Sequence, residues 1–193
     1  MSSISASVMS SSPRLLLQGL LAAVVLLGCP TSGEAKVFYS RSEALELAFP
    51  GADHVESETY VLDEQQVGRI QQLARSEIDT KLIRVYTGYR GGEVLGYAVI
   101  DIHRVRTLPE AFMIVLDPKG TVRSLRVLAF HEPLEYLPSE RWYEQFGEMS
   151  LTEPIKLGGD VHGVIGATLS ARATTKGVRR ALAYYEVLIQ EGP

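Results

Sequence analysis

Two strand–turn–strand signals placed back to back between Lys81 and Phe130 restrict the folding of this chain more than any other feature. Leu82, Val85 and Tyr89 lie in a β-rich run that breaks at Gly91-Gly92, and Val94 to Ile102 resumes it. Phe112 to Leu116 and Val122 to Phe130 make a second pair, joined by Asp117-Pro118-Lys119-Gly120. Gly-Gly accepts the positive φ of a hairpin turn, and Pro followed by Gly suits a tight turn. Connections this short force antiparallel neighbours, because a parallel crossover takes about a dozen residues or more. The expectation is a four-stranded antiparallel meander.

Helical signals stand on both sides of these strands. Ser40-Arg41-Ser42-Glu43 has capping-box spacing, and Ala44, Leu45, Leu47 and Ala48 follow before Pro50-Gly51 ends the segment. Asp63 to Ile78 puts Val67, Ile70, Leu73 and Ala74 on one stripe with Gln or charged residues opposite, which reads as a solvated surface helix. Ser139 to Phe146 predicts a helical turn. Ala173 to Gln190 predicts a longer helix with Val178, Ala181, Leu182, Tyr185 and Leu188 facing inward. The fold class is therefore α+β, an antiparallel β-sheet flanked by N- and C-terminal helices.

The N-terminus stands apart. Residues 1–14 are Ser-rich with one positive charge, Arg14, and Leu15 to Leu27 run apolar with only Gln18 and Gly19 interrupting. About 20 apolar residues are needed to span a bilayer, so this run reads as an export signal and not as an anchor. Gly33-Glu34-Ala35 offers small residues for signal-peptide cleavage, leaving a soluble chain from Lys36. Leu26-Leu27-Gly28-Cys29 resembles a lipobox, which would make Cys29 a lipid-anchored N-terminus. Either way the expected location is periplasmic or otherwise extracytoplasmic. Residues 36–193 are then one domain of ordinary size.

Composition excludes several functions. Nineteen basic and 23 acidic residues give a net charge of −4, so no basic excess points to nucleic acid. Cys29 is the only cysteine, which excludes an internal disulfide, a thiolate zinc cluster and a cysteine-held iron–sulfur centre. No Gly-x-Ser-x-Gly elbow, Walker loop or His-Glu-x-x-His motif is present. Asp101, Glu110 and Glu132 are carboxylates whose sequence separation says nothing of their geometry. His131 with Glu132 is a pair without a third ligand, so no metal site is assigned.

Gly163-Val164-Ile165-Gly166-Ala167-Thr168-Leu169-Ser170 carries the strongest functional signal. Gly166 lets the backbone turn tightly, and Thr168 and Ser170 put hydroxyls near the start of the last helix, where free N–H groups favour a phosphate. The plain reading of the same residues is a helix cap. Gly166-Ala167-Thr168 followed by Leu169-Ser170-Ala171 and an amphipathic helix resembles the FMN-binding domain family, which includes the periplasmic flavin subunits of Rnf and of the sodium-pumping NADH:quinone reductase. Asp117-Pro118-Lys119-Gly120 and the strand ending in His131-Glu132-Pro133 resemble that family's strand ending in Glu-Thr-Pro, which approaches the flavin ring.

The resemblance spans Ser40 to Ile189. It implies FMN as cofactor, its phosphate at Gly166 to Ser170, with Thr168 as the acceptor for a phosphoester bond made by a flavin transferase. Family sequences commonly read Asp-x-x-Ser/Thr-Gly-Ala-Thr; here His162 and Ile165 replace the Asp and the Ser/Thr, so both covalent and noncovalent FMN stay open. Arg106 and Thr107, at a strand end, are further candidates for phosphate or ribityl oxygens. Trp142 and Tyr143 are candidates either to cover the flavin or to fill the core. The implied function is an exported electron carrier exchanging electrons with redox donor and acceptor proteins of the membrane or periplasm. The alternatives are a flavin-free binding or interaction module of the same fold, or a small flavin reductase.

Overall fold

The computed structural model describes residues 36–192. The export signal with its cleavage site and Cys29 lie outside the described residues. Ser40 and Glu43 form the reciprocal box expected of them: Ser40 Oγ accepts from the Glu43 N–H, and Glu43 Oε2 accepts from the Ser40 N–H at 2.7 Å. They start helix α1 (Arg41–Ala48). A second box, Asp63 with Gln66, starts α2 (Glu64–Ala74).

Six antiparallel strands form one sheet: β1 (Lys36–Val37), β2 (His54–Val61), β3 (Leu82–Arg90), β4 (Glu93–Arg104), β5 (Pro109–Leu116) and β6 (Val122–Phe130). Their order is β1-β6-β5-β4-β3-β2. The meander β3 to β6 is the one the turns predict, and two edge strands extend it. β2 escapes sequence reading because it has no buried face: seven of its eight residues are exposed, so its apolar pattern never alternates. It is held by eight-residue pairing with β3, from His54 opposite Tyr89 to Val61 opposite Leu82.

Alternation along the central strands sorts side chains into two cores. Val85, Val99, Phe112, Ile114 and Leu116 face one side. Tyr86, Ala98, Met113 and Val115 face the other, under Ala44, Ala48 and Phe49 from α1 and the loop after it. The first core is covered by α2 and by α4 (Thr168–Tyr185), which continues as a π-turn over Glu186–Gln190. All five residues expected to face inward from this helix are buried. Between β6 and α4 come a 3-10 turn at Leu134–Tyr136 and α3 (Glu140–Tyr143), continued by a 3-10 turn at Glu144–Phe146.

Two boundaries differ from expectation. α4 begins at Thr168, five residues before Ala173, because burial of Ser170 and Ala171 carries the helix into a segment whose glycines suggest a loop. α2 stops at Ala74, where Arg75 turns left-handed at φ 49°. The stripe of α2 is also not merely a surface face, since Ile70 and Ala74 are fully buried in the first core. Arg179 from α4 secures this end: Nε donates to the Ala74 carbonyl at 2.7 Å and Nη2 to that of Leu73 at 2.8 Å.

Candidate functional site

Glu132 draws two of the predicted segments together. One carboxylate oxygen, Oε1, accepts backbone N–H bonds from Arg106 (3.1 Å), Thr107 (2.7 Å) and Leu108 (2.9 Å), so the β4–β5 turn is wrapped around it. The Leu108 N–H is the largest influence holding this carboxyl below its usual pKa, and the other two N–H groups add to it. His131 anchors the same corner, its Nδ1 donating to the Pro109 carbonyl at 3.1 Å. Pro133 is exposed and opens the 3-10 turn whose Tyr136 joins the remaining segments. The Arg106 guanidinium lies 5.0 Å from the Tyr136 ring centroid, and Ser170 Oγ donates to the Tyr136 carbonyl at 2.5 Å.

The strand end, the His-Glu-Pro segment and the start of α4 therefore meet at one end of the sheet. Within them the roles separate. Glu132 is occupied as a structural acceptor and Ser170 is fully buried, whereas Thr168 and Leu169 face solvent. Neither hydroxyl caps α4: the N-cap is Ala167, no side chain bonds to the free N–H groups, and Thr168 Oγ1 donates back to the Val164 carbonyl at 3.3 Å. The cap reading is thus replaced by an open helix start. Gly166 supplies the turn into it at φ 85°, with open space where a side chain would be.

Beside this start lies a groove of about 840 Å³ between the first turns of α4, the end of β4 and the α2–β3 loop. That volume suits a small-molecule ligand, for which about 300–1,000 Å³ is usual. Leu169, Arg172, Ala173, Lys176 and Arg180 line one wall, which is one face of α4 at helical spacing. Arg104, Val105 and Pro109 line another, and Ser76, Glu77 and Asp79 line the side formed by the α2–β3 loop. Arg104, Arg172 and Lys176 form no ion pair or side-chain hydrogen bond among the described residues. With Arg180 paired to Asp101, the three free cations outnumber Glu77 and Asp79 in the lining, and a net cationic groove suits an anionic ligand. The segments meeting here also expose Leu108, Leu134, Ile165 and Leu169, and Ile165 is fully exposed.

Sequence reasoning missed Arg172 and Lys176. The signal was available in the spacing, Arg172 three residues after Leu169 and Lys176 four after Arg172, but the late start assigned to the helix left Leu169 and Arg172 outside it. Trp142 and Tyr143 serve the core: Tyr143 is buried, and Trp142 packs edge-on against Tyr143 and Phe146. Trp142 also pins the loop before α4, donating from Nε1 to the His162 carbonyl at 2.7 Å.

Beneath the groove, two of the carboxylates that sequence left unassigned are joined. Asp101 Oδ2 accepts from His103 Nδ1 at 2.7 Å, and Arg180 grips Asp101 through Nε (2.9 Å) and Nη2 (2.6 Å). His103 Nε2 lies 3.3 Å from Oε2 of Glu110, its register partner on β5. Burial works against the charge on Asp101, but bonds from His103 and Arg180 outweigh it and lower its pKa. Burial raises Glu110. His103 is raised as well, since the two flanking carboxylates overcome its own desolvation.

No protein-family model matches the chain. It is 25% identical over 181 residues to the regulatory protein NosR of Stutzerimonas stutzeri. The match covers 85% of this chain and 22% of NosR. The chain thus corresponds to about a fifth of that relative, and the similarity is distant. Among the described residues, no helix is long and apolar enough to cross a membrane.

Proposed function

We propose that this domain binds FMN in the groove beside α4 and carries electrons outside the cytoplasm. The observation that carries the reading is the juxtaposition of the open helix start at Gly166-Ala167-Thr168 with a groove holding three unpaired cations. The donor set fits the ligand. Arg104, Arg172, Lys176 and the free N–H groups of the helix start suit a phosphate, and Leu169 and neighbouring apolar side chains suit a flat ring. The exposed Thr168 hydroxyl is the acceptor if the phosphate is esterified.

Bound flavin would supply one- and two-electron chemistry that side chains lack. The chain's part is to hold and tune. The cations neutralise the phosphate, the Glu132-wrapped turn holds Arg106 over the Tyr136 ring, and Arg180 with Asp101 stiffens the groove floor. A tether at Thr168 would keep the cofactor at high effective concentration where free flavin is scarce. The distant likeness to part of NosR accords with a domain that also serves inside larger proteins, and donor and acceptor proteins of the membrane or periplasm are the partners this role requires.

Intact-mass and absorbance measurements on the exported chain, co-expressed with a flavin transferase, test the reading. Esterified FMN adds about 438 Da together with a flavin spectrum, and Thr168→Ala abolishes the added mass. A flavin spectrum without added mass means noncovalent FMN. Neither colour nor mass, with no binding of added FMN, refutes the proposal and leaves a flavin-free binding module.

A further inference from the structure

The Asp101–His103–Glu110–Arg180 cluster sits against the apolar core, with the His103 ring edge-on to Phe112 at 4.9 Å, and charged groups this deeply buried need a reason. Asp101 and Glu110 are 7% and 0% exposed, and the His103 and Arg180 side chains are 8% and 13% exposed. Asp101 and Arg180 cancel one another through their paired bonds. What remains is His103 facing Glu110, and this pair has an unmet requirement. Nε2 and Oε2 sit 3.3 Å apart, yet neither has an aligned hydrogen-bond partner among the described residues. Among the described residues, the one further polar group bonded to the Glu110 carboxyl is the Tyr143 hydroxyl, at a long 3.5 Å from Oε1.

Two buried atoms so placed need one proton between them, as imidazolium with carboxylate or as imidazole with carboxylic acid. Either arrangement leaves the four-residue cluster neutral. A second proton makes it cationic. His103 and Arg180 also line the groove, so the added charge would sit directly beneath any ligand there.

We propose that the His103–Glu110 pair is a proton-linked anion sensor, taking up a second proton when an anionic group occupies the groove above it. The inference rests on the groove reading given above, and it deepens it by naming residues that report ligand charge. Coupling runs both ways: an anion in the groove stabilises the doubly protonated pair, and protonation strengthens anion binding by the same factor. The surrounding charges frame the response. Asp101 on β4 holds the Nδ1 proton, Arg180 and Tyr184 on α4 and Tyr143 on α3 face the cluster, and Asp79 lies beyond Arg180. Arg104, Arg172 and Lys176, together with Glu77 and Asp79, line the same groove.

Nitrogen-15 NMR of the His103 ring, followed against pH in the ligand-free chain and again with inorganic phosphate and with FMN, reads the pair directly. The ligand-free ring should titrate in two coupled steps. Glu110→Gln should leave one step, at lower pH. Phosphate or FMN should move the wild-type midpoint upward, and affinity should fall up to tenfold per pH unit across that midpoint. Arg172→Ala, at an exposed position, should keep the two-step titration and lose most of the ligand-induced shift, which keeps the test decisive if Glu110→Gln fails to fold. A ring that titrates in one step, or alike in wild type and Glu110→Gln, overturns the proposal. Ligand binding that leaves the midpoint in place overturns the linkage alone. If neither ligand moves any groove resonance, the FMN reading falls and the linkage falls with it.

Discussion

Glu132→Gln is the sharpest probe of how the site is assembled, because it keeps the shape of the acceptor and removes only its charge. In the wild type, three backbone N–H groups from Arg106 to Leu108 converge on one carboxylate oxygen at 2.7–3.1 Å. Hydrogen bonds to a charged group contribute about 1.5–3 kcal/mol and neutral ones about 0.5–1.5 kcal/mol. Neutralising the acceptor thus removes about 1 kcal/mol per bond, with less than full additivity for three bonds sharing one oxygen in an exposed turn. The expected loss is about 1–2 kcal/mol, or about 2–8 °C in Tm at this chain length. The pH dependence has a definite sign. The folded-state pKa of Glu132 is depressed below 4.5, so its stabilisation is complete above that value and disappears as pH falls through the folded one. Urea and thermal melts at neutral pH and in acid measure both effects. Equal stability of the two proteins at neutral pH, or a gap that persists in acid below the folded pKa, would refute the reasoning.

Two further substitutions test the packing on the two faces of the sheet. Arg179→Met should cost about 2–4 kcal/mol in urea melts, because it removes a buried cation that bonds the Leu73, Ala74 and Pro154 carbonyls and leaves the end of α2 without partners. Ser40→Ala removes the α1 cap and should cost about 1 kcal/mol, with no effect on the groove, since α1 packs on the opposite face of the sheet.

What sequence reveals here follows what burial dictates. β3 to β6 were legible because their buried residues alternate between the two faces and two of the three turns between them are short and carry Gly. β2 was not, since an exposed edge strand such as His54–Val61 is fixed mainly by backbone pairing, with Tyr60 its one half-buried residue, and so little burial leaves no alternating pattern to read. At the site, Gly166-Ala167-Thr168 and His131-Glu132-Pro133 stood out as motifs, yet their division of labour did not. Nothing in the string distinguishes the Glu132 that wraps a turn from the Glu110 that is sealed under a groove. Asp101 and His103 share a strand face by their two-residue spacing, which is readable. That Arg180 reaches Asp101 from 79 residues away is a tertiary fact.

Gly177 explains how that reach is possible and links the groove to the cluster below it. A Cβ at this position would lie 2.5 Å from the Phe112 ring and 2.9 Å from Asp101 Oδ2. α4 therefore approaches β4 and β5 as closely as it does only because residue 177 lacks a side chain. The Arg180–Asp101 bonds, and the packing of the Phe112 ring 4.9 Å from His103, depend on that approach. Gly177→Ala gains about 1 kcal/mol of helix propensity but must displace the helix or the ring, at about 1–3 kcal/mol. The net stability change should thus be small or negative, while the Asp101 carboxylate loses its closest cation contact. The discriminating observable is His103: if the helix withdraws, its ring titration should shift even where the melting temperature barely moves. An unchanged His103 titration in a folded Gly177→Ala chain would mean that the sheet alone positions the cluster, and that the contact with α4 adds nothing to it.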